Sequence, residues 1–484
     1  MKIVFTIICT FLLFSGYGQS LNWEPEITVS NNIQYGNSRP KIVLVNDEPV
    51  ILWGKKWNEN AYVSKWNGLN FNEPIQINPS GVNVYSQDWT GPDFDVRKDT
   101  IFATFKSQPD EDGYIYVVRS IDGGLSFGDT VRVNNSNWLR FPEVTVLKNG
   151  NPSVAFMKFH PNWTEPEYVV TSSIDGGLTF NDPISSITNT GVEACDCCPA
   201  QLFNNNESII LLFRNNDNNL RNIWSGVLDG PLDTIMSTAE IDSTNWIING
   251  CPSSGPHGTF YRDSIISVWM SHASGDSKIY LSTSSFTQNG IQNQRNLSNH
   301  VGFNGNQNYP KITVKEDTIG IVYQENVFGN VDIKFVYSFS GIKGLLSANA
   351  ITINVNTESS QRNPSLTFNN GTFHFVWQDD KVPSVVYRKA KVDLENSVTE
   401  FSKSSPFVIY PNPCSGDAIT LELKDSSTKG KINVFDSHNK LIHSEKVQGK
   451  NIRINTSNMK SGVYYIQFIA LDEVFMFPLY RVDL

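Results

Sequence analysis

The chain has 484 residues, with 38 Lys and Arg against 48 Asp and Glu, so its formal net charge is −10 although only 18% of its residues are charged. This balance argues against nucleic-acid binding, which needs a cationic face that displaces counterions from phosphate. A chain with 39% hydrophobic and 12% aromatic residues can bury a large core, so intrinsic disorder is disfavoured. Short Val, Ile, Phe and Trp runs separated by Gly, Pro, Asn, Ser and Thr predict many short strands joined by turns.

Residues 1–20 have the pattern of a secretory signal peptide. Lys2 precedes an apolar run over residues 3–14, and a small and polar stretch follows it. The run is too short to span a bilayer core of about 30 Å, and no later segment is long enough to do so. We therefore expect an exported protein, cleaved near Gly18 or Ser20, with no transmembrane segment.

The two ends of the chain enclose a longer middle region, residues 21–393, in which a Pro followed by an aromatic residue recurs seven times. The offset from Pro to aromatic is 13 or 14 residues, and successive Pro are 50 to 57 residues apart. The pairs are Pro40/Trp53, Pro92/Phe105, Pro142/Phe156, Pro199/Phe213, Pro256/Trp269, Pro310/Tyr323 and Pro364/Trp377. In each unit the Pro opens one strand and the aromatic residue closes the next, and a third and fourth strand usually follow. A four-stranded unit with this period predicts a propeller blade.

The seventh unit ends before any fourth strand. Residues 26–30, at the start of the region, have the composition of the missing strand. Pairing the first segment with the last would close the ring and remove its exposed edges. We therefore predict an all-β fold with a seven-bladed β-propeller over residues 21–393.

Two units contain a matching segment between their third and fourth strands: Ser-Ile-Asp-Gly-Gly-Leu-Ser-Phe at 120–127 and Ser-Ile-Asp-Gly-Gly-Leu-Thr-Phe at 173–180. The Asp can accept backbone N–H bonds within a tight turn, and the Gly pair permits positive φ. These segments resemble the Asp-box, or BNR repeat, of the sialidase superfamily. The resemblance implies a sialidase-like propeller, with the six blades of that family as the alternative to seven. It also implies that Asp122 and Asp175 are structural.

The chain changes character after residue 393. Residues 394–405 form a polar linker, and residues 406–484 show alternating strands. Tyr410-Pro-Asn-Pro, Gly416, the strand-turn-strand at 431–442 and the Gly-Val-Tyr-Tyr segment from Gly462 occur there in order. Together these motifs resemble the C-terminal sorting domain of the type IX secretion system of Bacteroidetes. The resemblance implies a small β-sandwich and export through the periplasm of a Gram-negative bacterium. The protein would then be released or attached at the outer cell surface.

Propellers place function at the mouth of the central channel, where the first strand of each blade begins and the second ends. Candidate substrate-binding residues at these positions are Arg39, Arg140, Arg214 and Arg362, and candidate catalytic residues are Glu325 and Asp379. Arg140-Phe-Pro and Arg362-Asn-Pro look like the Arg-Ile-Pro element that binds a carboxylate in sialidases, and Arg39-Pro is one residue shorter. A retaining sialidase also needs a Tyr nucleophile, a Glu partner and an Asp acid/base. Solvated charge at the rim is the simpler interpretation of Glu325 and Asp379.

A cysteine-rich segment, Cys195-Asp-Cys197-Cys198-Pro, opens the fourth unit, and Cys251-Pro opens the fifth. Because Cys9 and Cys414 lie in the two terminal segments, four cysteines remain, which favours two disulfides between these blades in an exported protein. Three pairings of the four are possible. The alternative is a copper or zinc site formed by Cys195, Cys197, Cys198, Cys251 and His257. Apart from that alternative, we expect no cofactor.

These features predict a monomeric, secreted or surface-attached propeller that engages an extracellular glycan or glycoprotein, with the type IX secretion machinery as its transport partner. Binding without catalysis is favoured. Two alternatives remain open: an exo-α-sialidase or related glycoside hydrolase, and a metal-dependent enzyme that uses the Cys/His rim. The net negative charge disfavours polyanions in general but leaves an anionic sugar at the channel mouth possible.

Overall fold

The computed structural model describes residues 20–57, 59–186, 193–205, 207–229, 235–285, 291–296, 305–393, 407–423, 429–437, 440–470 and 473–482. The chain divides into two compact units, one formed by residues 19–394 and one that includes residues 395–484. The predicted signal peptide up to residue 19 and the predicted linker lie outside the described residues. Among the residues described, no helix is both long enough and apolar enough to cross a membrane.

The described strands of the larger unit form seven antiparallel sheets, which we number as blades 1 to 7 in the order of their first strands. Blades 1 to 3 comprise, in turn, Ser38–Val45, Glu48–Gly54, Ala61–Lys65 and Ile75–Gln76; Asp93–Arg97, Thr100–Lys106, Ile115–Ser120 and Val131–Arg132; Leu139–Val146, Pro152–His160, Thr164–Ser172 and Ile184–Ser185. Blades 4 and 5 comprise Glu193–Ala194, Gln201–Asn204, Ser208–Asn216, Ile223–Asp229 and Ile235–Glu240; His257–Tyr261, Ser264–Ser271, Lys278–Ser285 and Ile291–Asn296. Blades 6 and 7 comprise Asn306–Lys315, Thr318–Val327, Asn330–Ser338 and Ile351–Thr352; Gln361–Asn369, Thr372–Asp379, Ser384–Asp393, Ser20–Trp23 and Ile27–Ser30. Two short helices, the 3-10 turn Pro161–Trp163 and the α-helix Gly341–Leu345, lie between strands.

The blades follow one another around a common axis. If Gln201–Asn204 is counted as the first strand of blade 4, the first strand of each blade contacts the first strand of the next, and Gln361–Asn369 of blade 7 contacts Ser38–Val45 of blade 1. This cyclic order surrounds a central channel with first strands. The predicted all-β propeller fold is therefore confirmed, and the seven sheets of the described residues coincide with the seven predicted repeats.

Blade 7 takes its outer strand from the start of the larger unit. Ile27–Ser30 pairs with Ser384–Asp393, as residues 26–30 were predicted to do, and Ser20–Trp23 pairs with the far end of the same strand. The second segment is not apparent in the sequence because it adjoins the signal-peptide pattern and has only four residues. Trp23 stacks on Phe375 with ring centroids 5.4 Å apart. The two segments together cover the free edge that an open ring of blades would leave.

The repeated aromatic residues form the core between blades. All seven are 0–2% exposed, and the set is Trp53, Phe105, Phe156, Phe213, Trp269, Tyr323 and Trp377. Burying one such side chain contributes roughly 2–3 kcal/mol, so the ring depends mainly on this layer. The repeated aromatic residue is therefore explained by packing and needs no functional role.

A bulge precedes the repeated Pro in four blades. The residue before Pro has positive φ at Arg39 (48°), Phe141 (54°), Tyr309 (51°) and Asn363 (49°), and the strand register shifts at the same place. A bulge adds a residue on one strand and re-aims the side chains beside it. Because first strands begin beside the ends of second strands, all four bulges lie at one mouth of the channel.

The Ser-Ile-Asp-Gly-Gly turns lie at the opposite face, where third strands end. Asp175 Oδ1 accepts hydrogen bonds from the amides of Leu178 (3.0 Å) and Thr179 (2.9 Å), while Gly176 and Gly177 have φ of 74° and 84°. Hydrogen bonds from the hydroxyl and amide of Thr179 lower the pKa of Asp175 to about 2. The carboxylate closes its own turn and faces away from the channel mouth.

The C-terminal unit contains two sheets that share one hydrophobic core. The first consists of Phe407–Tyr410, Ala418–Leu423 and Asn451–Asn455, and the second of Lys429–Phe435, Leu441–Gln448, Gly462–Ala470 and Glu473–Arg481. Leu421 and Ile454 of the first sheet and Ile432 and Phe468 of the second are fully buried in this core. The unit is the small β-sandwich that the sequence predicted.

Candidate ligand site at the channel mouth

The residues that directly follow the repeated Pro share one level of the channel. They are Lys41, Asp93, Glu143, Ala200, His257, Lys311 and Ser365. These residues line two cavities that share Lys41, Glu143 and Lys311, which we together call the axial cavity. Equivalent positions on seven first strands converge toward the axis because the strands are related by the rotation of the ring. The result is a ring that contains five ionisable side chains.

An ion-pair group spans blades 1 to 3 in this ring. Lys41 Nζ lies 2.5 Å from Asp93 Oδ1 and 3.2 Å from Glu143 Oε1, and the three side chains are 9–12% exposed. Asp93 Oδ2 also accepts a hydrogen bond from the Val144 amide at 2.8 Å. One lysine is therefore shared between two carboxylates, which leaves Glu143 only partly compensated. Burial, with the nearby charge of Asp93, raises the pKa of Glu143 to about 7.

Lys311 faces the same cavity from blade 6. Its ammonium nitrogen makes no hydrogen bond or ion pair with another described residue, although Glu143 and Asp93 attract it at longer range. Burial and the repulsion of Lys41 lower the pKa of Lys311 to about 7. A half-buried lysine without a direct partner has hydrogen-bond donors available for a ligand.

His257 is held as a neutral ring in the wall of the cavity. One ring nitrogen, Nε2, lies 3.1 Å from Gln201 Nε2, and the other, Nδ1, lies 3.2 Å from the Ile312 amide. Burial and the positive charges of Lys311 and Lys41 lower its pKa. Both nitrogens thus already have neighbours in the protein.

Arg39 and Tyr309 form the upper edge of the cavity, one residue before the repeated Pro of blades 1 and 6. Arg39 is 8% exposed, and its Cζ lies 5.8 Å from the centroid of the Tyr309 ring. Its Nη1 donates to the Asp88 carbonyl at 3.2 Å, while its buried Nε has no partner among the described residues. The guanidinium is therefore buried with part of its donor capacity unused.

The three candidate arginines that were compared with the Arg-Ile-Pro element are in different surroundings. Arg140 pairs with Asp110 (Nε to Oδ2, 3.1 Å). Its guanidinium also lies over the ring of Trp163, with Cζ 3.7 Å from the ring centroid. Arg362 pairs with Asp380 (Nε to Oδ2, 2.9 Å). Each of these two has its own carboxylate, whereas Arg39 lines the axial cavity without one.

Arg214, predicted to bind substrate, instead has a structural role. It is fully buried, and its Nε, Nη1 and Nη2 donate to the carbonyls of Ser254 (3.1 Å), Arg221 (2.7 Å) and Met270 (2.7 Å). These carbonyls belong to three separate segments of blades 4 and 5. Each of its three nitrogens therefore has a protein partner that joins these segments.

Glu325 and Asp379, the predicted catalytic carboxylates, do not line the axial cavity. Glu325 is 0% exposed and accepts from Gln307 Nε2 at 3.0 Å; burial raises its pKa. Asp379 accepts from the Ser359 hydroxyl (2.7 Å) and the Lys381 amide (2.9 Å), which fixes the turn after the second strand of blade 7. Glu325 lies within the second strand of blade 6, Asp379 is the last residue of the second strand of blade 7, and both carboxylates are hydrogen-bonded to the protein.

One disulfide joins the entrances of blades 4 and 5, between Cys197 and Cys251. Cys195 and Cys198 are buried thiols with Sγ atoms 2.7 Å apart, so the second predicted disulfide is not formed between the blades. Of the five residues of the alternative metal site, Cys195, Cys197 and Cys198 have their Sγ atoms within 4.8 Å of one another. Cys197 and Cys251 are bonded to each other, and both nitrogens of His257 have protein neighbours.

Sequence reasoning missed Lys41, Asp93, Glu143 and Lys311. The available signal was their shared position directly after the repeated Pro, which would have emerged from superimposing the seven units residue by residue. Charged residues at one column of a buried strand indicate either mutual pairing or a ligand site.

The fold and the C-terminal unit define a propeller joined to an export module. Residues 408–475 match the family described as the secretion system C-terminal sorting domain. This confirms the predicted sorting domain, which implies the type IX secretion machinery as a partner and a secreted or outer-surface location. No curated protein matches the chain.

Solved structures with related folds are found at low sequence identity. An ulvan lyase representing a new polysaccharide lyase family is 10% identical, covers 73% of this chain and 93% of its own, and has a TM-score of 0.50. Trypanosoma rangeli sialidase in complex with the inhibitor DANA is 10% identical over 92% of this chain and 85% of its own, with a TM-score of 0.44. Penicillium chrysogenum α-L-arabinanase is 16% identical over 62% and 92%, with a TM-score of 0.42. At these identities, the similarity concerns the fold alone.

Proposed function

We propose that this protein is an exported carbohydrate-binding propeller that holds an anionic sugar at the mouth of its central channel. The observation that carries the proposal is Arg39, a guanidinium that is 8% exposed with an unpartnered Nε at the edge of the axial cavity. Lys311 adds an ammonium group without a direct partner, and Tyr309 adds a phenol at the same mouth. A carboxylate bound there would gain charge-assisted hydrogen bonds that the free protein lacks.

The walls of the cavity are partly apolar. The repeated Pro residues of five blades contribute apolar surface, and they are Pro40, Pro199, Pro256, Pro310 and Pro364. Apolar walls with a few convergent polar groups are typical of small-ligand sites. A polysaccharide lyase shares the fold, which is consistent with a carbohydrate as ligand. The sorting domain supports a site outside the cell, on a released or a surface-attached protein.

Binding is tested by isothermal titration of the full chain with sialosides and oligouronates, each paired with a neutral analogue of the same size. We expect the acidic members to bind and the neutral analogues to bind at least about tenfold more weakly, the effect of losing one charged hydrogen bond. Arg39→Gln and Lys311→Met should each weaken binding by a similar factor. Arg262→Gln is the control, because Arg262 pairs with Asp317 in an exposed turn on the opposite face. Equal affinity for acidic and neutral sugars would refute the proposal.

A second candidate, a glycoside hydrolase, is favoured by Glu143. A carboxyl group with a pKa of about 7 in a ligand cavity can donate a proton near neutral pH. Release of a fluorogenic group from a panel of α-glycosides, sialosides first, separates the two functions. Turnover that is lost in Glu143→Gln, with binding retained, would establish hydrolysis, whereas absence of turnover on every member leaves binding alone.

A further inference from the structure

Four sulfur atoms meet where blades 4 and 5 enter the channel mouth. Cys197 and Cys251 are disulfide-bonded, and Cys195 Sγ lies 3.7 Å from Cys197 Sγ and 2.7 Å from Cys198 Sγ. Cys195 and Cys198 are fully buried, whereas Cys251 is exposed. A buried thiol is thus in contact with one sulfur of a disulfide whose other sulfur faces solvent.

Arg221 supplies a second and independent observation. It is 6% exposed, and its Nε and Nη1 have no hydrogen-bond partner among the described residues. The hydrogen bond with Cys198, together with the positive charges of Arg221 and Arg214, lowers the pKa of Cys195. Burial raises the pKa of Cys198. When Cys195 is a thiol, the unused N–H donors of Arg221 have no negatively charged acceptor. A Cys195 thiolate would be such an acceptor.

We propose that the four cysteines form an internal thiol–disulfide exchange site, in which Cys195 attacks Cys197 and moves the disulfide from the Cys197–Cys251 pair to the Cys195–Cys198 pair. The exchange is a property of the blade 4 and 5 entrance and does not depend on which ligand the axial cavity takes.

The exchange takes place in two balanced steps. In the first, the Cys195 thiolate bonds to Cys197 Sγ, the Cys197–Cys251 bond breaks, and Cys251 leaves as a thiolate that takes a proton from solvent. In the second, Cys198 loses its proton and bonds to Cys195 Sγ, the Cys195–Cys197 bond breaks, and Cys197 leaves as a thiol after protonation. One disulfide and two thiols are present before and after, so no external oxidant or reductant is needed.

The different exposure of the four cysteines indicates which sulfur attacks and which sulfur leaves in the first step. Burial shields Cys195 from thiols in solution but leaves it in contact with Cys197, so its accessible target is internal. The leaving sulfur of Cys251 is the only exposed one of the four, and water can stabilise it as a thiolate.

Moving the disulfide would change how the two blade entrances are joined. In the observed form a covalent bond ties the segment before the first strand of blade 4 to the segment before that of blade 5. In the exchanged form the bond lies within the Cys195–Cys198 segment, and the link between the blades depends on the Arg214 hydrogen bonds and on packing. The rim of the channel mouth would then be free to open beside Cys251.

The test is disulfide mapping of the full chain held in glutathione buffers of graded redox potential, alkylated and digested without reduction. Among chains with one disulfide, we expect both Cys197–Cys251 and Cys195–Cys198. In Cys198→Ser, which lacks the second nucleophile, Cys195–Cys197 should accumulate. In Cys195→Ser, only Cys197–Cys251 should form. Wild-type chains that carry Cys197–Cys251 alone at every potential would overturn the proposal.

The rate of exchange tests the role of Arg221 without removing a cysteine. After limiting oxidised glutathione introduces one disulfide, Arg221→Gln should slow the approach to the final mixture about tenfold, because the attacking thiolate loses a charged partner. Arg262→Gln should leave the rate unchanged. Equal rates in Arg221→Gln and wild type would exclude thiolate stabilisation by Arg221, and a rate lowered equally by both variants would show a general effect of charge.

Discussion

Arg39 and Arg214 are both buried arginines at the same mouth of the channel, yet the surrounding protein satisfies them to different degrees. Arg214 donates to three carbonyls of separate segments, so its charge is fully engaged in joining blades 4 and 5. Arg39 makes a single hydrogen bond and leaves Nε without a partner. Burial alone therefore does not distinguish the two arginines; the number of carbonyls that each one holds does. The comparison separates a structural half of the rim, at blades 4 and 5, from the proposed ligand-binding half at blades 6 and 1.

We expect the largest loss of folding stability from the removal of the Arg214 side chain. Arg214→Ala should lower the free energy of unfolding of the propeller by about 3–5 kcal/mol, because three buried carbonyls lose their donor. Arg39→Ala should lower it by no more than about 1 kcal/mol, since only one carbonyl loses a donor. Denaturant unfolding followed by tryptophan fluorescence measures both values. If the two substitutions cost the same, the division of the rim into structural and ligand-binding halves is wrong.

We expect a smaller loss of folding stability from a substitution that adds a side chain where the entrances of blades 4 and 5 are in contact. A Cβ added to Gly255 would lie 1.9 Å from the Pro199 carbonyl oxygen, so Gly255→Ala must push these backbones apart. We expect a loss of about 1–3 kcal/mol, the usual range for overpacking. Gly128→Ala is the matched control, because its nearest neighbour lies at 3.6 Å. An unchanged midpoint of unfolding in Gly255→Ala would mean that the two entrances separate easily even with the disulfide in place.

The same contrast explains which features the sequence could predict. The ring of blades follows from a Pro and an aromatic residue at a fixed spacing, because local pattern and core packing coincide there. The ends of second strands were also predictable, and Arg214, Glu325 and Asp379 lie within the last three residues of those strands. Whether a rim side chain turns into the blade or toward the axis depends on carbonyls and hydroxyls contributed by distant segments, such as Ser254 for Arg214 and Ser359 for Asp379. No local pattern encodes those partners.

The smallest predicted effect, and the one specific to the ligand-binding half of the rim, is a dependence of anion binding on pH. In the free protein the pKa of Lys311 is about 7, because burial and the positive charges of Lys41 and Arg39 disfavour the ammonium form, although Asp93 and Glu143 attract it. A bound carboxylate favours that form, so binding takes up a proton, and affinity should fall as the pH rises from 6 to 8. Glu143, with a pKa of about 7, acts in the same direction, because its ionised form repels an anion.

We expect the affinity for an anionic ligand to decrease by up to about tenfold per pH unit above pH 7. Titration calorimetry in buffers of different ionisation enthalpy measures both the affinity and the proton uptake. In Lys311→Met the dependence should become shallower, and a wild-type affinity that is constant between pH 6 and 8 would place the anion away from Lys311 and Glu143.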